Sequence, residues 1–262
     1  MGYVKSVVLL LAMILIGFYA FFLSIFALAL SPIFPRLRYL SNQFFIVPFG
    51  IFARWWVGVK LVVLNAKNCS VRPAVLVGNH QTGLDLAIIS RGAPGPLLIV
   101  AKRELKNIPI FGWFFWMAGN ILIDRSNPRA ARKQLEDARK LLRKKNLNLA
   151  IFPEGTRSRD QQMLPFKKGA FHLAVSMGLP IVPVVCSNLK GKAIWEKADL
   201  GGGHVVLSIL DPIATEGMTM DQIDALMVNV RQQMIQEFTR ISELATAYDE
   251  RALKPKDESC CS

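Results

Sequence analysis

The chain has 262 residues, of which 52% are hydrophobic and 19% are charged, and its formal charge at pH 7 is +13. A chain this apolar is not intrinsically disordered as a whole, and four scattered cysteines do not form the framework of a small disulfide-rich secreted protein. The excess of Lys and Arg leaves two kinds of partner open, namely nucleic acid and an anionic lipid surface or substrate.

The N-terminal segment is strongly apolar. Residues 7–30 are almost wholly aliphatic or aromatic, and no charged residue occurs between Lys5 and Arg36. A helix over 7–30 would measure about 36 Å at ~1.5 Å per residue, against a bilayer core of about 30 Å. The segment therefore predicts a membrane helix that spans the bilayer or lies tilted in one leaflet. It is too long for the apolar core of a cleaved signal peptide, which runs to roughly 7–15 residues.

A second apolar stretch, residues 39–64, mixes Phe and Trp with Arg54 and Lys60 and is interrupted by Pro48. Aromatic residues and cations along one helix are typical of the lipid headgroup level. The two stretches together predict a membrane-associated helical hairpin that forms an N-terminal anchor, residues 1–66. A helix packed on the folded core is the alternative for the second stretch.

From Arg72 onward, short apolar runs alternate with amphipathic helical patterns. The predicted strands are 74–77, 97–101, 121–123, 147–152, 181–185 and 205–210. The predicted helices are 84–91, 105–118, 128–145, 168–177 and 221–246, the last one opened by a capping box at Thr219 and Gln222. The alternation predicts an α/β domain over 67–250 with a central, mostly parallel sheet flanked by helices, followed by a polar tail, 251–262.

The sharpest motif is NHQTGLD, residues 79–85, which directly follows the first strand of that domain. His80 and Asp85 do not share a face of a regular helix, but a turn through Gly83 can bring them together. A carboxylate beside an imidazole fixes its tautomer and stabilises the imidazolium, so such a pair acts as a general base. Asn79 is placed to order the turn. A capped turn with a hydrogen-bonded histidine is the alternative.

A second motif, IFPEGTRSR at residues 151–159, follows a continuous apolar strand. Arg157 offers a planar fork that suits phosphate, and Gly155 allows a close approach of backbone and ligand. Glu154 needs a partner if it is buried, most simply a nearby Arg. An ordinary polar loop is the alternative.

Two weaker blocks complete the set. Residues 119–125 carry a short strand that ends in Asp124 and Arg125, and residues 179–185 carry Pro183 within a strand. Taken alone, the first is typical of an ordinary strand end, and Pro183 is typical of a structural position.

The four blocks stand in order between Asn79 and Val185, and together they resemble the glycerophospholipid acyltransferase superfamily, above all the bacterial 1-acyl-sn-glycerol-3-phosphate acyltransferases. The resemblance extends through Lys102, residues 108–112, residues 164–170 and the N-terminal membrane helices. It covers most of the chain and is least specific in the C-terminal helix.

This resemblance implies transfer of an acyl group from acyl-CoA or acyl-carrier protein to the sn-2 hydroxyl of lysophosphatidic acid, giving phosphatidic acid without a cofactor or metal. His80 is then the general base, and Asp85 orients it. The residues implied in binding the substrate phosphate are Glu154, Gly155, Thr156, Arg157, Lys102 and Arg125. The supporting positions are Asn79, Gly83 and Pro183.

The implied partners are a membrane lipid substrate, the acyl donor and an anionic membrane surface, with the active site on the cytoplasmic side of the inner (plasma) membrane. The aromatic run 111–116 lines the acyl-chain path or belongs to the core. Acylation of another lyso-lipid, such as a lysophospholipid or lyso-ornithine lipid, and a lipid-binding scaffold without activity are the rival functions. The spacing of the three histidines argues against zinc, and no nucleic-acid-binding signature is present.

Overall fold

The computed structural model describes residues 2–34, 37–40, 42–43, 47–48, 51, 58–82, 85, 88–89, 95–109, 111–124, 128–158, 162–189 and 202–253. The helices are α1 (Gly2–Leu30), α2 (Phe111–Met117), α3 (Pro128–Lys145), α4 (Gly169–Met177) and α5 (Ile223–Leu253). The strands are β1 (Val59–Leu64), β2 (Val75–Gly78), β3 (Leu97–Lys102), β4 (Ile121–Ile123), β5 (Asn148–Ile151), β6 (Ile181–Cys186) and β7 (Gly203–Ile209). Short 3-10 turns occupy Ala66–Ser70, Arg103–Asn107 and Met220–Gln222.

The strands form one seven-stranded sheet in the order β1-β7-β6-β2-β5-β3-β4. Every pairing is parallel except β6–β7, which is antiparallel. The expected α/β architecture with a mostly parallel sheet is therefore confirmed. Because β6, β2, β5 and β3 run in the same direction, their carboxyl ends meet at one edge of the sheet, which is where α/β proteins place their sites.

The central strands are buried on both faces, as their unbroken apolar sequences predict. Every residue of β2, β5 and β6 is buried. Successive side chains of β2 enter opposite faces of the sheet: Leu76 packs in one apolar cluster, and Val75 and Val77 pack in the other. The second cluster receives α4 and the apolar stripe of α5. Of that stripe, Ile223, Leu226, Val230, Met234 and Ile241 are buried.

Most predicted elements are present with small shifts at their ends, and residues 121–123 and 128–145 agree with the observed bounds. The helix expected over 105–118 is instead a 3-10 turn followed by α2, because Pro109 lies between them and cannot continue a helix. Most of the predicted helix 84–91 and the end of the polar tail, 254–262, lie outside the described residues.

The prediction for residues 59–64 was wrong. They form β1, which pairs in parallel with β7 from Val59 opposite Gly203 to Leu64 opposite Ser208. The boundary expected at residue 66 is therefore too late in the chain, because residues 59–64 already belong to the sheet. The apolar run that precedes β1 hid the change from membrane stretch to strand, and the pairing partner lies far along the chain.

The N-terminal helix α1 exposes a row of large apolar side chains, including Leu15 at 68% and Phe22 at 64%. Its opposite side, at Ala20 and Ser24, is buried, and Phe21 lies 6.3 Å from Trp113 of α2 between ring centroids. Within the described ranges, no helix combines the length and the apolar character needed to cross a membrane. Much of the expected second arm of the hairpin, including 44–46 and 52–57, lies outside those ranges.

A buried amide pair joins the segment after α1 to the edge of the sheet. Asn42 Nδ2 donates to Asn120 Oδ1 at 2.9 Å, and Asn120 Nδ2 donates to Asn42 Oδ1 at 2.7 Å. Asn42 Nδ2 also donates to the Leu97 carbonyl at 2.7 Å, while the Ile99 N–H donates to Asn120 Oδ1 at 2.9 Å. Both side chains are buried with their hydrogen bonds made, so they fix this segment relative to β3 and β4.

We predict that Asn120→Ala lowers the free energy of unfolding by about 1–3 kcal/mol, because it leaves buried groups of Asn42 and Ile99 without a partner. Denaturant unfolding of the purified protein in detergent measures the loss. The double variant Asn42→Ala/Asn120→Ala should lose less than the sum of the single losses, since the second truncation removes a group that is already unpaired. Strict additivity would contradict this coupling.

Candidate active site

The two principal motifs meet at the carboxyl edge of the sheet. Val77 of β2 lies opposite Ile151 of β5 on one side and opposite Pro183 of β6 on the other. The loops that follow these three strands therefore start side by side. They bring His80, Glu154 and the end of β6 together, as the motif order implied.

His80 and Asp85 form the expected pair. His80 Nδ1 lies 2.8 Å from Asp85 Oδ2, and the carboxylate is fully buried and also accepts the N–H groups of Gln81 at 2.5 Å and Thr82 at 2.7 Å. Because an ionised carboxylate only accepts, the Nδ1 atom carries the proton and Nε2 keeps its lone pair. The imidazole stacks on Phe152 at 4.3 Å between ring centroids, and its side chain is 21% exposed. This is the geometry of an oriented general base with an accessible nitrogen.

The buried Glu154 holds the backbone of this loop. Its Oε1 accepts the His80 N–H at 2.8 Å, and its Oε2 accepts the Leu164 N–H at 2.9 Å. The expected Arg partner is not found among the described residues, where both hydrogen-bond partners are backbone N–H groups. Burial raises the pKa of Glu154 above its ordinary value, and the two backbone hydrogen bonds oppose that rise. The carboxylate points into the protein and ties two loops together.

Two side-chain amides fasten the His80 loop to β6. Asn79 Nδ2 donates to the Cys186 carbonyl at 3.0 Å, and the Cys186 N–H donates back to Asn79 Oδ1 at 2.8 Å. Gln81 Nε2 donates to the Ser187 carbonyl at 3.0 Å, and its Oε1 accepts the Leu189 N–H at 3.2 Å. Asn79 thus orders the turn as expected. Gln81 was not among the predicted site residues, although its place between His80 and Asp85 was a usable signal.

The nearest cysteine is not available as a nucleophile. Cys186 is fully buried, and burial, with the neighbouring Asp85 charge adding to it, raises the pKa of its thiol well above the ordinary value. A thiolate is therefore absent at neutral pH.

The expected phosphate-binding residues are spread along the same edge. Thr156 and Arg157 are exposed, and Arg157 makes no ion pair with another described residue. Lys102, also exposed, ends β3, which is separated from β2 by β5. Gly155 adopts a left-handed backbone with φ +72°. Gly83 and Arg125 lie outside the described residues.

Pro183 is part of the sheet, whereas the aromatic run 111–116 belongs to α2. Pro183 is buried within β6, where its carbonyl accepts the Leu210 N–H at 2.9 Å, so its position is structural. In α2, Phe115 is buried in the core, whereas Trp113 and Trp116 are each more than half exposed. Neither expectation, an acyl-chain path or plain core, describes the whole run.

The loop before α4 is hydrogen-bonded to the turn that contains Glu154. The Lys167 N–H donates to the Pro153 carbonyl at 2.8 Å. From α5, Arg231 donates through Nη2 to the Met163 carbonyl at 2.6 Å and through Nε to the Leu164 carbonyl at 3.1 Å. Arg231 thus supports the same loop whose Leu164 N–H binds Glu154. No local signal in the sequence indicated this role, because the contact joins α5 to a distant loop.

Known proteins share both the sequence and the fold. A family model described as "Acyltransferase" matches residues 60–187. A Saccharomyces cerevisiae protein named 1-acyl-sn-glycerol-3-phosphate acyltransferase is 33% identical over 256 residues, which cover 97% of this chain and 82% of that protein. A Haemophilus influenzae protein of the same name is 36% identical over 203 residues, covering 74% and 83% of the two chains.

A solved structure extends this likeness to the three-dimensional arrangement. The crystal structure of the 1-acyl-sn-glycerophosphate (LPA) acyltransferase from Thermotoga maritima superposes with a TM-score of 0.71 at 26% identity, covering 92% of this chain and 98% of that one. Such similarity, over nearly the whole chain and in sequence as well as fold, makes this protein a member of the 1-acyl-sn-glycerol-3-phosphate acyltransferase family and therefore an acyltransferase enzyme.

Proposed function

We propose that this enzyme transfers a fatty acyl group from acyl-CoA or acyl-carrier protein to the sn-2 hydroxyl of 1-acyl-sn-glycerol-3-phosphate, giving phosphatidic acid for phospholipid biosynthesis. The observation that carries the proposal is the His80–Asp85 pair at 2.8 Å, on the same sheet edge as the exposed Arg157. The names of the relatives support the choice of acceptor.

In this mechanism, His80 Nε2 takes the proton of the sn-2 hydroxyl while that oxygen attacks the thioester carbonyl of the donor. The new C–O bond forms, the C–S bond breaks, and the proton passes from His80 to the departing thiolate. Asp85 holds the imidazole in the required tautomer and stabilises its cationic form. Direct transfer without an acyl-enzyme agrees with the burial of Cys186.

Arg157 binds the acceptor phosphate through its planar fork, assisted by the turn at Gly155 and Thr156, and Lys102 adds positive charge along the edge. Arg125 remains a further phosphate-binding candidate through the family resemblance alone. Glu154 has a different role from the one implied by the family resemblance. Because both its oxygens accept backbone N–H groups, it acts by holding the loops rather than by contacting the phosphate.

We also propose that α1 anchors the enzyme in one leaflet of the inner (plasma) membrane, with the active site facing the cytoplasm that supplies the donor. The exposed apolar side chains of α1 support this placement. An anchored enzyme meets its lipid substrate laterally, and the excess positive charge attracts anionic lipid and donor alike.

We predict that His80→Ala and Asp85→Asn each lower kcat with oleoyl-CoA and lysophosphatidic acid by about 10²–10⁴-fold, because the general base or its orienting partner is lost. Phosphatidic acid formed by purified protein in detergent is the readout, with thermal unfolding as the check that each variant is folded. Undiminished turnover by folded His80→Ala would contradict the role assigned to this histidine.

We predict that Arg157→Ala lowers kcat/KM for lysophosphatidic acid by about 10–100-fold, the size expected for a lost charge-assisted contact worth ~1.5–3 kcal/mol. The matched measurement uses lyso-ornithine lipid, which has no phosphate. A loss confined to lysophosphatidic acid supports the phosphate contact. Equal losses on both acceptors would favour the second candidate function, acylation of another lyso-lipid.

We predict that Arg231→Met lowers kcat several-fold with little change in KM, because Arg231 acts on His80 only through Leu164 and Glu154. Arg240 on the same helix is the control, since it is exposed and pairs with Glu237 at 2.6 Å on the surface. Arg240→Met should retain wild-type kcat, and Arg231→Lys should recover part of the loss. Equal effects of the two methionine variants on kcat would argue against a positioning role for Arg231.

A further inference from the structure

The side chain of Lys167 lies across Gly155. A Cβ atom placed on Gly155 would be 2.9 Å from Lys167 Nζ, 3.0 Å from its Cε and 3.1 Å from its Cδ. The glycine also has φ +72°, a conformation that favours residues without a Cβ. Gly155 thus makes room for the lysine, and the ammonium group is held beside the turn that carries Thr156 and Arg157.

The backbone beneath this lysine is fixed to the catalytic loops. The Lys167 N–H donates to the Pro153 carbonyl at 2.8 Å, on the strand side of the same turn. Three residues earlier, the Leu164 N–H binds Glu154, whose other oxygen binds the His80 N–H. Lys167 is therefore attached to the network that positions the general base, and little backbone rearrangement is needed to present its ammonium to a bound ligand.

The charge of Lys167 is not compensated within the described residues, in contrast to that of its neighbour. The Lys168 ammonium pairs with Asp224 at 2.7 Å, whereas no ion pair joins Lys167 to a described carboxylate. Glu154 lies close in sequence to the turn, but both its oxygens face backbone N–H groups. The exposed ammonium of Lys167 consequently adds to the positive field at the edge where Arg157 also projects.

We propose that Lys167 binds the phosphate of the acyl acceptor together with Arg157, an inference that rests on the function proposed above. A phosphate monoester near neutral pH carries close to two negative charges and three acceptor oxygens, more than one guanidinium fork satisfies. Arg157 supplies the planar, two-point contact, and Lys167 supplies a compact point charge from beside Gly155. Lys167 thereby contributes to the preference for a phosphate-bearing acceptor.

The test compares Lys167→Met with Lys168→Met in the full-length protein, since adjacent lysines of unlike surroundings form a matched pair. With 1-oleoyl lysophosphatidic acid as acceptor, Lys167→Met should raise KM about tenfold or more, while KM for oleoyl-CoA stays within twofold of wild type. Lys168→Met should stay within twofold on both substrates, because an exposed ion pair contributes little. Lys167→Arg should restore most of the affinity.

The acyl donor also contains phosphate. Whether Lys167→Met raises KM for lysophosphatidic acid or KM for oleoyl-CoA therefore shows which phosphate Lys167 binds. A rise in KM for oleoyl-CoA with that for lysophosphatidic acid unchanged would overturn the assignment to the acceptor. So would equal behaviour of the two methionine variants, or an equal loss on lyso-ornithine lipid, which has no phosphate.

Equilibrium binding of lysophosphatidic acid, followed by calorimetry, distinguishes failure of this inference from failure of the proposed function. Wild type that binds the lipid about tenfold or more tightly than Lys167→Met, yet makes no phosphatidic acid, would overturn the function and keep the binding site. Turnover by wild type with unchanged lipid binding in Lys167→Met would overturn the site and keep the function.

Discussion

The active site depends on one buried carboxylate. Glu154 accepts the backbone N–H of His80 with one oxygen and that of Leu164 with the other. Without it, both N–H groups would lose their partner, and each buried unpaired donor costs about 1–3 kcal/mol. Burial of the carboxylate is itself unfavourable and raises the pKa of Glu154 above its ordinary value. The position of the His80 backbone is thus maintained by a group that contacts neither the imidazole nor, in our proposal, the substrate.

The parallel sheet explains why so few contacts suffice to build this site. Strands β5, β2 and β6 are adjacent and end together, so their loops begin only one strand apart. Asn79 continues the pairing between β2 and β6 with a side-chain amide that both donates to and accepts from Cys186. The Ser158 N–H closes the other side by donating to the His80 carbonyl at 2.8 Å. Both backbone groups of His80 form hydrogen bonds within the described structure. Of its polar groups, only the imidazole therefore has a nitrogen that is left to react.

The sequence predicted what depends on local pattern and missed what depends on distant contacts. Periodicity located α3, α5 and most strands, and the spacing of His80 and Asp85 predicted their pairing. The strand β1 was missed because its partner β7, although adjacent in the sheet, lies far along the chain. Motif resemblance pointed to Glu154 as important but could not give the direction of its side chain, which is set by Leu164. The support from Arg231 joins residues that no short pattern connects.

The positions of the carboxylates determine where the excess positive charge of this chain can attract anions. Several cations of the described structure are compensated: Arg103 pairs with Asp124, Lys168 with Asp224 and Arg240 with Glu237. The cation of each pair is exposed, and ion pairs of exposed side chains contribute little to stability. At the carboxyl edge of the sheet, Glu154 and Asp85 are turned inward onto backbone N–H groups and His80, and within the described residues neither of them pairs with Arg157 or Lys167. A net charge of +13 would attract anions to the whole surface, and the exposed Arg157 and Lys167 add to that attraction at the edge that carries His80.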